Sequence, residues 1–304
     1  EAAKSNLDLR LNTKLVKLIK GTNGEIIGAL VKGKHTGIYQ IDAKAVILAT
    51  GGIGANPELI QKLRPDISPE VKTSNQPGSQ GDGIILGENV GAAVVDANPP
   101  LLVGSPVIVS ETVRGAGAVF VNKEGKRFIS ELTTRDKTSA AVSKQTGGVA
   151  YEIFDQKVRD KVKQTGAAFE LGLAKEGRTL EELGKNAGID PKNLAATIAQ
   201  YNKYAEAGND PEFGRPKISA KVDTPNFYAI EVTPAIHYYM GGLKINPQAK
   251  VIDKNGKVIE GLFAAGEVTG GVHGKNRLGG NSISETITFG RISGEEAAKR
   301  IANN

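Results

Sequence analysis

The stretch from Gly261 to Gly294, GLFAAGEVTGGVHGKNRLGGNSISETITFGRISG, constrains this chain more than any other. A short apolar run, Leu262 to Ala265, predicts a strand that ends in Gly266-Glu267. A glycine-dense loop follows, carrying His273, Lys275 and Arg277. Ser282 with Glu285 three residues on reads as a capping box that opens a helix. Backbone N–H groups at such an end point outward, and the end is electropositive, which suits an anion or a polarised carbonyl. Gly290 and Gly294, four apart, fall on one helical face and predict close backbone approach to a neighbour. Strand, acidic residue, Gly-rich turn and helix start together form a cofactor cradle. A Gly-rich connection that holds no ligand fits the same pattern.

Composition narrows the classes. In 304 residues, 39% of them hydrophobic, there is enough apolar material for two compact units. No cysteine is present, which excludes disulfides, thiolate metal sites, Cys nucleophiles and covalent c-type haem within these residues. Three histidines, His35, His237 and His273, lie far apart in sequence, so no metal site is expected. The net charge of +6 suits a site that attracts anions. Nucleic acid is not expected as a partner, because aromatic content is 5%, the basic residues are dispersed and no nucleic-acid motif occurs. No apolar run approaches membrane-spanning length, so no membrane insertion is expected. The opening EAAKSNLDLRLNTKLVKLI reads as the end of a helix entering a strand, which points to a chain that begins in mid-domain.

Residues 15–48 read as a meander: VKLI, a turn at Asn23-Gly24, IIGALV, a basic turn, IYQI, then AVILATGG. The run Ala45 to Leu48 is continuously apolar, which predicts burial on both faces. Its ending, Ala49-Thr50-Gly51-Gly52, would let a ligand approach the backbone. A polar segment closes in GDG and leads to a helix over about 84–90. Asp96 to Pro106 marks a crossing into a second unit that opens with Val107 to Val113. A hairpin GAVFVNKEGKRFIS turning at Glu124-Gly125 comes next, then helices over about 151–162, 179–185 and 191–207. Thr179 with Glu182 forms a capping box, and Asp190-Pro191 supplies an N-cap with proline behind it. Leu194, Ile198, Tyr201 and Ala205 form the buried stripe of the last helix. The chain returns through FYAIEVTPAIHYYMGGLKI and a hairpin at Asn255-Gly256 to the cradle. The organisation is therefore α+β / α/β: a discontinuous domain, 1–97 plus 238–304, with an inserted α+β domain, 98–237, and a site expected in the cleft between them.

Four stretches place charge among small residues: Ser110-Glu111-Thr112-Val113-Arg114, Thr133-Thr134-Arg135-Asp136, HYYMGG from His237, and the cradle with Arg277. Two arginines and a histidine around one cleft would bind carboxylates through forked, charge-assisted hydrogen bonds. Taken singly, Arg135 with Asp136 and Glu111 with Arg114 read equally as ordinary ion pairs, and His237 as an interior histidine.

The motifs ATGG, GDG, SETVRGAG, GKRFISELTTRD, HYYMGG and GLFAAGEVTGGVHGKNRLGGNSISETITFGR, in that order, resemble the flavoproteins of the soluble fumarate reductase, flavocytochrome c and urocanate reductase family. The resemblance runs through nearly the whole chain. It implies non-covalent FAD in a partial FAD-binding domain, an inserted capping domain, and hydride transfer from reduced flavin N5 to the C=C bond of an unsaturated carboxylate. It further implies that Arg135 protonates the other alkene carbon and that Glu111 and Arg114 reprotonate Arg135. His237 and Arg277 would hold substrate carboxylate, with Ser110 and the Gly280 backbone nearby. Asp82, Tyr238, Glu267, Ser282 and Ile283 would contact FAD. The resemblance also implies an anaerobic respiratory role, an electron donor protein or domain, and an exported location, periplasm or cell surface, in preference to the cytoplasm.

Two departures qualify the transfer. The family's N-terminal GxGxxG unit is not found in this sequence, so a separate chain would have to supply it for tight FAD binding. Where the family carries a further substrate histidine, this sequence reads DANPPLL, with Asn98 the nearest counterpart. Fumarate is thus one candidate substrate among others: urocanate, an acrylate or a cinnamate. An aspartate oxidase, a ketosteroid dehydrogenase and a non-catalytic fragment that binds no flavin remain as alternatives.

Overall fold

The computed structural model describes residues 7–95, 101–104, 110–218, 220–274 and 277–303, the side chains of 101–104 excepted. Asn98 and Lys275 lie outside the described residues. The chain divides into two compact units, Glu1–Pro69 with Asn75–Pro99 and Tyr238–Asn304, and Glu70–Ser74 with Pro100–His237. Both mix helix and sheet, as expected.

Among the described residues the first unit carries three small sheets. Strands Thr13–Lys20, Ile26–Gly33 and Gly37–Asp42 form an antiparallel meander, and Gly24 takes the positive φ that its turn requires. The fourth predicted strand, Val46–Leu48, leaves that meander and pairs in parallel with Val258–Ala264, which also pairs with Lys250–Ile252. Ile47 is 40% exposed, so the expected burial on both faces does not hold for the described residues. Val94–Val95, Gly242–Lys244 and Thr269–Gly270 make the third sheet. Helix Asp82–Asn89 follows GDG, and helix Asn281–Ala302 closes the chain.

The second unit is a sheet in the order Ala174–Gly177, Phe227–Ile236, Ala150–Asp155, Val119–Val121, covered on both faces. The far end of Phe227–Ile236 also pairs with Leu101–Gly104 and Lys72–Thr73. On one face Phe120, Phe154, Tyr228 and Ile230 pack with Val113 and Val142. On the other Val119, Val121, Ile153 and Ala229 pack with Leu183, Leu194, Ile198 and Tyr201. The period-2 alternation of strand residues feeds both cores.

Local cap signals are realised. Thr179 Oγ1 accepts from Glu182 N–H at 3.1 Å, and Asp190 Oδ1 accepts from Asn193 N–H at 2.8 Å, with Pro191 opening the helix Pro191–Ala207. Leu194, Ile198 and Tyr201 are buried in its stripe, whereas Ala205 is only half-buried.

Three further readings need correction. The helix expected over 151–162 begins only at Gln156; Ala150–Asp155 is a central strand, buried throughout and paired on both sides. The turn at Gly125 forms, but its return limb makes no strand among the described residues, and Val119–Val121 is an edge strand paired with Ala150–Asp155. Gly290 and Gly294 are exposed, and a Cβ at either would meet nothing within 4 Å among the described residues.

Candidate functional site

In the second unit, the short helix Ser110–Ala116 sets Ser110 and Arg114 one turn apart. Arg114 Nε donates to Ser110 Oγ at 3.1 Å, and Nη1 donates to the Glu131 carbonyl at 2.6 Å; all these groups are buried. Glu111, on the same helix, turns to Arg135, the first residue of helix Arg135–Ser143. Arg135 donates through both Nε and Nη2 to the two Glu111 oxygens, the second bond at 2.6 Å. Arg135 is buried, while Glu111 keeps 29% of its side chain exposed. The simple pairs within each motif are therefore not what forms: the arginine of one motif takes the carboxylate of the other.

Burial lowers the affinity of Arg114 for its proton, and Arg135 adds to this; Glu152, Glu111 and Glu131 act against it. A buried network braces the cluster. Arg127 grips Glu131 with Nε and Nη2 at 2.9 Å each and Asp210 at 2.8 Å. Arg215 donates to the Arg114 carbonyl at 2.8 Å and pairs with Glu131 at 3.2 Å. His237 Nδ1 lies 2.7 Å from Ser74 Oγ, a hydrogen bond whose donor depends on the imidazole tautomer.

In the first unit, Tyr238, Glu267, Arg277 and His273 gather around the cradle. The Arg277 guanidinium sits 4.5 Å above the Tyr238 ring, and His273 meets that ring edge-on at 5.7 Å. Glu267 Oε1 accepts from Tyr239 N–H at 2.7 Å. Burial pushes Tyr238 upward, helped by Glu285 and Glu267 and opposed by Arg277. Burial also raises Glu267, against the Tyr239 N–H and Arg277. It lowers His273, with Arg277 adding to the effect, so that imidazole is neutral near pH 7.

The predicted capping box at Ser282 does not form. Helix Asn281–Ala302 has Gly280 as its N-cap, at φ 84, and no side chain among the described residues caps it. Glu285 reaches across instead, Oε1 accepting from Gly266 N–H at 3.1 Å. Ser282 is half-buried and Ile283 is 66% exposed. Asp82 is ion-paired with Lys14 at 2.9 Å on the surface of this unit.

These residues suit a flavin nucleotide. The 22-residue helix has no side-chain cap at its N-terminus among the described residues, and its electropositive end suits an anionic or carbonyl group. Gly52 is buried, and the Glu267 side chain packs where its Cβ would be, so the absent side chain lets Glu267 lie close against the backbone there. Thr50 Oγ1 and His273 Nε2 are buried without a hydrogen-bond partner among the described residues, leaving polar groups for a ligand to satisfy. Among the described residues no cluster of three His, Cys, Asp or Glu could hold a metal ion, and no helix is long and apolar enough to cross a membrane.

Sequence reasoning missed Ser74, Arg127, Glu131, Glu152, Asp210 and Arg215. One signal was available: Glu152 is a charge inside the otherwise apolar run AYEIF.

Residues 1–283 match the family of the FAD binding domain, and the chain belongs to that family. FAD is the cofactor this membership implies. Over its whole length the chain is 49% identical to a fumarate reductase (cytochrome) of Shewanella frigidimarina, covering 54% of that protein. Over 94% of its length it is 40% identical to an NADH:acrylate oxidoreductase of Vibrio harveyi, covering 31% of it. The solved open conformation of a flavocytochrome c3 fumarate reductase superposes with a TM-score of 0.81 at 46% identity, over 98% of this chain and 54% of that one. The chain thus spans about half the length, or less, of the relatives it matches.

Proposed function

We propose that this chain is the part of an FAD-dependent oxidoreductase that reduces the C=C bond of an unsaturated carboxylate, with fumarate first among the candidates and acrylate and urocanate beside it. The first unit serves the flavin and the second serves as its cap. Similarity to a fumarate reductase and to an acrylate oxidoreductase supports the substrate class. The observation that carries the reading is the two-pronged Arg135–Glu111 pair with Arg114 buried one turn away.

When bound and reduced by two electrons, FAD supplies the hydride for one alkene carbon. Negative charge then develops at the other carbon and in the adjoining carboxylate. Arg277 and His237 hold that carboxylate, and a fixed cation stabilises the developing charge more than it stabilises the neutral alkene. Arg135 delivers the proton to the second carbon, so one hydride and one proton complete the saturated product. A free guanidinium scarcely releases a proton. Glu111, gripping the same guanidinium, takes the role of returning a proton to it, and the buried Arg114 cation makes the site tolerate that loss. Glu267, Tyr238, Ser282, Ile283 and Asp82 are assigned to the flavin, and Ser110 and the Gly280 backbone to the substrate.

The test is turnover of the intact protein with a dithionite-reduced viologen donor against fumarate, acrylate and urocanate. At least one acid is reduced, and Arg135→Ala loses about 10²- to 10⁴-fold, the scale of a general acid. No reduction of any of the three, from a preparation that carries flavin, contradicts the reading.

A further inference from the structure

Glu152 stands where the pattern of its strand asks for an apolar side chain. Along Ala150–Asp155, Ala150 and Phe154 belong to the core that also contains Val113 and Ala116 of the Arg114 helix. Glu152 lies between them in the alternation and so shares their face. Its cross-strand partners, Phe120 and Ile230, are members of the same core. The residue is fully buried, and neither carboxyl oxygen has a hydrogen-bond partner among the described residues.

Arg114 is the charge that faces it. Glu152 Oε1 is 4.0 Å from Arg114 Nε, beyond hydrogen-bond reach but within strong electrostatic range. The flanking strands present Phe120 and Ile230, which carry no charge. The helix of Arg114 also carries Glu111, and Glu111 is committed to Arg135. Glu131, which approaches Arg114 through its carbonyl, has its carboxylate taken by Arg127 and Arg215. Burial without hydrogen bonds disfavours the carboxylate form and pushes Glu152 up to about 8, with Arg114 only partly opposing. At neutral pH this carboxyl carries a proton.

We propose that Glu152 is a positioning residue of the Arg114–Glu111–Arg135 relay, its proton setting how tightly Arg114 is held as a cation and so whether Arg114 can support the exchange at Arg135. The inference rests on the reductase reading above. With Glu152 neutral, the Arg114 charge is not offset from that side and, by repelling the Arg135 cation, helps Arg135 lose its proton. With Glu152 ionised, a carboxylate 4.0 Å away offsets that charge, and the relay loses its second cation.

Two readouts test this on the intact protein. The first needs no turnover and so survives failure of the reductase reading: the infrared carbonyl band of a protonated buried carboxyl, missing from Glu152→Gln, titrates near pH 8, and Arg114→Gln moves that titration upward. The second is the pH profile of kcat: between pH 7 and pH 9 the native protein loses about tenfold through this group, while E152Q changes by less than about twofold. Glu152→Met, which keeps bulk without a proton, gives the same flat profile and covers a Gln variant that folds poorly. A native profile retained in both variants, or a band that ignores Arg114→Gln, overturns the proposal.

Discussion

Arg135 and Glu111, 24 positions apart in sequence, meet as a forked pair in which Nε and Nη2, on one edge of the guanidinium, each find a carboxylate oxygen, Nη2 to Oε2 at 2.6 Å. A fork of this kind fixes the plane of the guanidinium as well as its position. Glu111→Gln keeps the shape and removes the proton acceptor. The expected result is a loss of about 10²-fold or more in kcat with KM little changed, measured in steady state with a reduced viologen donor. A loss confined to KM would place Glu111 in substrate binding instead.

Glu152 also makes stability depend on pH. Its folded value, about 8, lies above the ordinary 4.5, so its contribution is full below 4.5 and is lost as pH rises through about 8. Urea unfolding between pH 5 and pH 9 is therefore expected to show the native protein losing stability, on the order of a few kcal/mol, relative to Glu152→Gln. Parallel curves for the two would show that Glu152 does not titrate in this window.

The Arg127–Glu131–Asp210–Arg215 network separates buried from exposed charge. All four side chains are buried, and Asp210 also accepts the backbone N–H of Arg215 at 3.2 Å. Asp210→Ala leaves two buried arginines, Arg127 and Arg215, sharing the single Glu131 carboxylate and is expected to cost about 3–5 kcal/mol in denaturant unfolding. Glu206→Ala breaks an exposed pair with Lys221 and is expected to cost under about 1 kcal/mol. Equal costs would mean that the network does not brace the Arg114 carbonyl and Glu131 as described.

Features decided by neighbouring residues were legible in the sequence. The turns at Asn23-Gly24 and Asn255-Gly256, the Thr179 cap and the Asp190-Pro191 helix start each depend on a few adjacent positions. Ala150–Asp155 was misread because YEIFDQKV also fits a helical spacing, and pairing with Phe227–Val232 and Val119–Val121 decides the outcome. Ser282 and Glu285 have the spacing of a capping box, yet Glu285 satisfies Gly266 N–H, nineteen positions back in sequence. The motifs named the candidate residues, but which carboxylate meets which arginine could not be read from them. Glu111 and Arg114 share a helix, and their partners come from Arg135 and Glu131.

The central claim is that Arg135 is the proton donor of the reduction. The most direct measurement is a single turnover: the intact protein, flavin reduced, is mixed with whichever acid it reduces, and flavin reoxidation is followed by absorbance. The account predicts rapid reoxidation in the native protein and a slowing of at least about 100-fold in Arg135→Ala, with substrate still bound. Reoxidation of Arg135→Ala at the native rate would contradict it.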